Sequence, residues 1–80
     1  GLDVDQRVRL ALAYAQALDA QDELESAIEA LRTIAGSLES RSKREALYIM
    51  AGELYERHER FDEAVEAYGA HFEGLWRAFR

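Results

Sequence analysis

Two stretches of this chain match each other at a fixed offset. Gly52, Tyr55, Ala64 and Tyr68 each stand 37 residues after Ala15, Leu18, Ala27 and Leu31. A pattern of small and apolar residues recurring at such a period belongs to stacked helical hairpins, each of which buries its apolar face only against a neighbour. Eighty residues hold two such units around one thin core, because a chain this short buries a small fraction of its surface. The expectation is a single domain over residues 2–80, with Gly1 set aside as a remnant of tag removal.

Apolar residues at helical spacing run through Val4, Val8, Leu10, Leu12, Tyr14, Ala15 and Leu18, which predicts a first helix from about Asp3 to Ala20. Asp3 with Gln6 has the spacing of a capping box, in which cap and third helical residue satisfy each other's free backbone N–H groups. After a polar break at Gln21 and Asp22, the pair Asp22 and Glu25 repeats that spacing, and Leu24, Ala27, Ile28, Leu31 and Ile34 mark a second helix down to Ala35. Gly36 stands where a left-handed residue ends a helix, Ser37 to Arg41 reads as a connector, and Ser42 with Glu45 forms another cap spacing. The third helix carries Ala46, Leu47, Ile49, Met50, Leu54 and Tyr55 to about His58. Asp62 is the expected cap of a fourth, whose stripe is Val65, Tyr68, Phe72, Leu75, Trp76 and Phe79. Neither β-alternation nor proline interrupts the pattern. The fold class is therefore all-α, two stacked antiparallel helical hairpins.

Charge and composition remove several functions. The net charge is −6, from 16 acidic and 10 basic residues with the basic ones scattered among carboxylates. A nucleic-acid surface needs clustered Lys or Arg to displace counterions from phosphates, so no nucleic-acid partner is expected. Cysteine is absent, which removes disulfides and thiolate chemistry. The longest apolar run, Leu10 to Ala15, is far below the roughly 18 residues of a spanning helix. With no secretory signal in the chain as given, a cytoplasmic location is favoured. Lys43 is the single lysine beside abundant arginine and alanine, a bias that points to a bacterial source of high GC content.

His58 and His71 are the two histidines, and the residue three before each is tyrosine rather than a carboxylate. A metal site on a helix needs ligands three or four residues apart on one face, so both read as helix-end or surface histidines. No Gly-rich phosphate loop occurs; Ala35-Gly36-Ser37 lacks the lysine and second glycine. The expectation is no catalytic residue, no metal and no cofactor, an accessory domain of an enzyme being the weakest of the alternatives.

The stretch Glu45 to Tyr68, with Tyr48, Gly52, Tyr55, Phe61, Ala64 and Tyr68 at set spacing, resembles a tetratricopeptide repeat. Gly52 and Ala64 are small where two helices approach closely, and the aromatics fill the gaps beside them. The upstream copy is more degenerate, with Ala11, Ala15, Leu18, Leu24 and Ala27 at those places. Repeat one covers about residues 8–38 and repeat two about 45–76. Two departures stand out: the family period is about 34, so three extra residues are expected around Gly36 to Ser42, and Trp76 replaces a frequent terminal proline.

The resemblance implies a right-handed solenoid fragment that binds protein or peptide segments along a concave groove lined by the first helix of each pair. Carried onto this chain, the groove is Arg9, Leu12, Gln16 and Asp19 from helix one, and Ala46, Ile49, Glu53 and Glu56 from helix three. A subgroup of the family grips C-terminal carboxylates with Lys and Asn, where Leu12 and Gln16 stand here, so no such clamp is expected. A groove apolar in its middle with acidic ends suits a partner segment bearing Arg or Lys. The acidic set Glu53, Glu56, Glu59, Glu63 and Glu66 reads equally as a solvated helix face. The alternative function is self-assembly: Phe72, Leu75, Trp76 and Phe79 form an apolar stripe that another copy could cover, giving a homo-oligomer.

Overall fold

In a computed structural model, which describes the backbone of residues 3–78 and the side chains of residues 3–69, the chain is an all-α four-helix bundle. Its helices are α1 (Val4–Ala20), α2 (Leu24–Ser37), α3 (Arg41–Arg57) and α4 (Phe61–Ala78). Helices of 17 and 14 residues with two three-residue connections account for the 37-residue spacing. α1 begins as the sequence predicts. The Gln6 N–H donates to Asp3 Oδ1 at 2.8 Å, and the Asp3 N–H donates to Gln6 Oε1 at 3.1 Å, a closed capping box.

The turns α1–α2 and α3–α4 have the same hydrogen bonds, displaced by 37 residues. In the first, the N–H of Glu23 donates to the carbonyl of Leu18 and that of Asp22 to Asp19, both at 2.9 Å. In the second, the N–H of Arg60 donates to Tyr55 and that of Glu59 to Glu56, again at 2.9 Å. This is the Schellman closure, which needs a left-handed residue just past the helix. Asp22 (φ 62°) and Glu59 (φ 58°) supply it.

Here the expected caps are corrected. Asp22 does not cap α2, because its left-handed backbone is incompatible with the extended one a cap requires; Glu23 takes that place without a side-chain bond. Asp62 lies inside the first turn of α4, which starts one residue earlier at Phe61.

The α2–α3 connection also departs from expectation. α2 runs through Gly36 to Ser37, no glycine has positive φ among the described residues, and Leu38 ends the helix in an extended conformation. Side chains replace the glycine device. Ser37 Oγ donates to the Ile34 carbonyl at 2.7 Å, while Arg44 Nη1 donates to the carbonyls of Leu38 (2.7 Å) and Glu39 (2.9 Å). With carbonyls of this segment satisfied, nothing at Gly36 requires a left-handed turn. α3 starts at Arg41 with Ser40 as cap, so Ser42 and Glu45 make no capping box; Ser42 Oγ lies 3.2 Å from Ser40 Oγ and Glu45 pairs with Arg41 at 3.5 Å. The three extra residues therefore lengthen helices, and the connector shrinks to Leu38–Ser40.

α3 packs against all three other helices, α1 and α2 pack against each other, and α4 packs on α3 alone among the described residues. Leu31, Leu47 and Leu54 are the largest fully buried side chains; truncating one to Ala costs about 2–5 kcal/mol in a typical core. Around them sit the buried alanines Ala11, Ala15, Ala27, Ala35, Ala51 and Ala64, and no charged side chain is buried among the described residues. The broad apolar stripe of α1 divides on folding. Val8, Ala11 and Ala15 face the core, whereas Val4, Leu10 and Tyr14 are exposed; Phe61 and Val65 on α4 are exposed too.

Gly52 is buried where the Tyr68 ring crosses α3. A Cβ on Gly52 would lie 2.6 Å from Tyr68 Cζ and 2.7 Å from Cδ1, too close for any real contact. The small residue therefore admits the aromatic, as its spacing predicts.

Two predictions follow from the backbone. Replacing Glu59 by Gly removes the left-handed penalty of about 1–2 kcal/mol and adds about 0.5–1 kcal/mol of backbone entropy cost. Glu59→Gly therefore raises the unfolding free energy by up to about 1 kcal/mol. Asp22→Gly gains less, since Asp tolerates that region better; urea denaturation checks both, and a loss of stability in Glu59→Gly contradicts the turn assignment. Gly52→Ala destabilises despite the helix propensity gain of about 1 kcal/mol. In a Tyr68→Leu background the same change becomes stabilising, a sign reversal that a double-mutant cycle reads directly.

Candidate functional site

α1 and α3 lie side by side and run parallel, because ion pairs join their corresponding ends. At the N-terminal ends Lys43 donates to Asp5, and this contact, with Arg9 adding a smaller effect, holds the Asp5 carboxyl below its usual range. At the C-terminal ends the Asp19 carboxylate lies 2.6 Å from His58 Nε2 and 3.7 Å from Arg57 Nη1. Between these brackets Gln16 Nε2 reaches Met50 Sδ at 3.9 Å. Arg9 pairs with no carboxylate within ion-pair distance among the described residues; Asp5, one turn before it, is held by Lys43.

The expected groove residues fall into distinct groups. Leu12, Ala46 and Ile49 are half-buried, and Arg9 and Gln16 are exposed. Asp19 is half-buried and held by His58 and Arg57, so its carboxylate fastens α1 to the end of α3. Glu53 and Glu56 are exposed and associate with α4. The Tyr68 hydroxyl donates to Glu56; burial first, then that hydrogen bond and the charges of Glu56 and Glu53, push the phenol up to about 12.

A second polar cluster ties the two helix pairs together. Arg60 Nε donates to Glu63 Oε1 at 2.8 Å, its Nη2 donates to Glu63 Oε2, and its Nη1 reaches across to Glu25 on α2. The guanidinium lies over the Tyr55 ring, 5.3 Å from the centroid, within cation–π range. Burial, followed by the charges of Glu63 and Glu25, pushes the Tyr55 phenol up, with Arg32 and Arg60 opposing. The carboxylates of the acidic set are thus not uniformly solvated: Glu56 and Glu63 have partners.

One surface feature is not evident from the periodicity of α1. Leu10 and Tyr14, which that periodicity places in the core stripe, face outward. They leave an apolar face of the first helix pair uncovered, at the side of the molecule opposite α4. The stripe Phe72, Leu75, Trp76 and Phe79 falls outside the residues whose side chains are described, as does His71. Among the described residues no group of three or more His, Cys, Asp or Glu is placed to hold a metal ion, and no helix is long and apolar enough to cross a membrane.

Compared with protein-family models, with curated proteins and with solved structures, the chain matches none.

The tyrosine shifts carry a pH consequence. A phenol whose value is raised in the folded state binds its proton more tightly there, so its stabilising contribution is intact below the ordinary value of about 10. For Tyr68 it is lost as pH rises from there toward about 12, and Tyr55 adds a loss of the same sign. NMR titration of the ring carbons places Tyr68 and Tyr55 above the ordinary range, and Glu56→Gln moves Tyr68 part of the way back.

Proposed function

We propose that the chain is a protein-interaction module built from two tetratricopeptide-like repeats, which receives a partner segment along the face formed by α1 and α3. The observation that carries this reading is the parallel pairing of α1 and α3, pinned at both ends by Asp5–Lys43 and Asp19–His58. A seam held at its ends is pre-organised, which lowers the ordering cost of binding. Leu12 and Ile49 are half-buried on these helices and Arg9, Gln16 and Glu53 are exposed, giving apolar contact with polar groups for register. The recurrence of the whole turn geometry at 37 residues supports the repeat reading beyond the side-chain spacing.

The partner segment is basic. The chain has a net charge of −6, and Glu53 and Glu56 stand together on α3, one helical turn apart, with Tyr68 as their neutral neighbour. Arg or Lys on the segment meets these carboxylates at the rim, where charge governs encounter rate and specificity more than affinity.

A panel of short Arg- and Lys-bearing peptides titrated into the labelled protein tests the reading. Amide shifts are expected at Leu12, Gln16, Ile49 and Glu53, with affinity falling as salt rises. Glu53→Lys lowers the affinity by about tenfold, or about 1.4 kcal/mol, and flattens the salt dependence. Shifts confined to other faces, or affinity indifferent to Glu53→Lys, remove the α1–α3 face from consideration.

A further inference from the structure

The contact between the two helix pairs shows what one pair presents to the next. On the second pair Leu47, Ala51, Tyr55, Glu63, Glu66 and Ala67 line a cleft of about 330 Å³, and Ile28, Leu31 and Arg32 of α2 form its opposite wall. Moving back 37 residues carries Ala51, Tyr55, Glu63, Glu66 and Ala67 onto Tyr14, Leu18, Ser26, Glu29 and Ala30. Those five line a second cleft, of about 500 Å³, on the outer side of the first pair. Leu10 stands in the place of Leu47, beside a further hollow of about 300 Å³.

Equivalent faces therefore occur twice, with Tyr14 outside in place of Ala51 and Ser26 in place of Glu63. Inside, Leu47 is 0% and Ala51 8% exposed, whereas outside Leu10 is 56% and Tyr14 59% exposed. The interior copy is covered by an amphipathic helix whose Ile28 and Leu31 meet the apolar floor and whose Arg32 shares the cleft with Glu63 and Glu66. The bare copy keeps the apolar floor in Tyr14, Leu18, Ala30 and Ile34, and an acidic rim in Glu29, Glu25 beside it being held by Arg60. Glu29 has no ion pair within bonding distance among the described residues.

We infer that the Leu10 and Tyr14 face, with Ala30 and Ile34, docks an amphipathic helix of a partner protein that presents apolar residues at i and i+3 and a basic residue at i+4. A second copy of this chain is the wrong occupant on charge grounds. At the far end, the positions of Ile28, Leu31 and Arg32 are taken by Val65, Tyr68 and Gly69, so the cation is missing. The Glu25–Arg60 tie of the interior would become Asp62 against Glu23, two carboxylates in place of an ion pair. This surface is separate from the α1–α3 face and stands or falls without it.

The probe is a synthetic peptide of residues 22–38 of this chain, stapled through positions Glu29 and Thr33, which face away from its Ile28–Leu31–Arg32 contact surface. The staple removes the ordering cost that leaves so short a helix marginal in water. Saturable binding to the intact protein is expected, with amide shifts at Tyr14, Leu18, Ala30 and Ile34. Tyr14→Glu in the protein and Arg32→Glu in the peptide each weaken it by about tenfold, with circular dichroism confirming that the protein variant stays folded. Leu10→Glu serves as the second variant should the first unfold. The inference is overturned by absence of saturable binding, by affinity unchanged in these variants, or by shifts at Leu47 and Ala51 that report displacement of the protein's own α2. A protein that is dimeric alone and monomeric as Tyr14→Glu overturns it in favour of a second copy.

Discussion

The burial of α3 is the constraint on which the other elements depend. Leu47 and Leu54 are fully enclosed, and α3 is the helix that touches α1, α2 and α4. With a core composed so largely of alanine, few large side chains are available to hold helices together, and those few must meet at one place. Gly52 and Tyr68 solve the complementary problem on the other side of α3, a missing Cβ admitting a ring. In the first pair Ala15 and Leu31 occupy the corresponding positions, both buried. A slightly larger small residue accompanies a slimmer large one.

Much of this was readable from the chain. The 37-residue offset, the stripes and the Asp3–Gln6 cap predict four helices in the right order, because each rests on neighbours close in sequence. What was not readable depended on distant groups. The Ser42–Glu45 spacing is a good cap pattern, yet Arg44 bonds to Leu38 and Glu39 and α3 starts earlier, at Arg41. Gly36 is a good helix stop, yet Ser37 and Leu38 end α2 without it. In α1, apolar residues lie nearly all round from Leu10 to Ala15, so the periodicity alone does not choose between Val8 and Leu10 as the inward face. Contact with α2 and α3 makes that choice. That Asp19 fastens to His58 and Glu56 to Tyr68 required the fold.

Charge divides the molecule into a joined interior and guarded ends. Arg60 gathers Glu25, Glu63 and the Tyr55 ring at the seam between pairs, while the equivalent outer positions, Glu23 and Asp62, are both acidic. Two pairs with the same backbone turns are thus not interchangeable building blocks. A repeating unit with matching charges at both ends would be free to add copies without limit. Here the opposite charges that meet at the seam have no counterpart at the outer positions Glu23 and Asp62.

The order of packing has a consequence for how the molecule opens. Among the described residues α4 packs on α3 alone, so releasing it breaks no packing contact between α1, α2 and α3. Loss of α3 would leave only the packing of α1 on α2. The packing allows a hierarchy of opening: amides of α4 can exchange with α1, α2 and α3 still packed together, whereas those of α3 exchange only when its contacts with three helices are lost. A protein of this size is commonly treated as a single cooperative unit. Here three helices pack on one another, and the fourth joins them through α3.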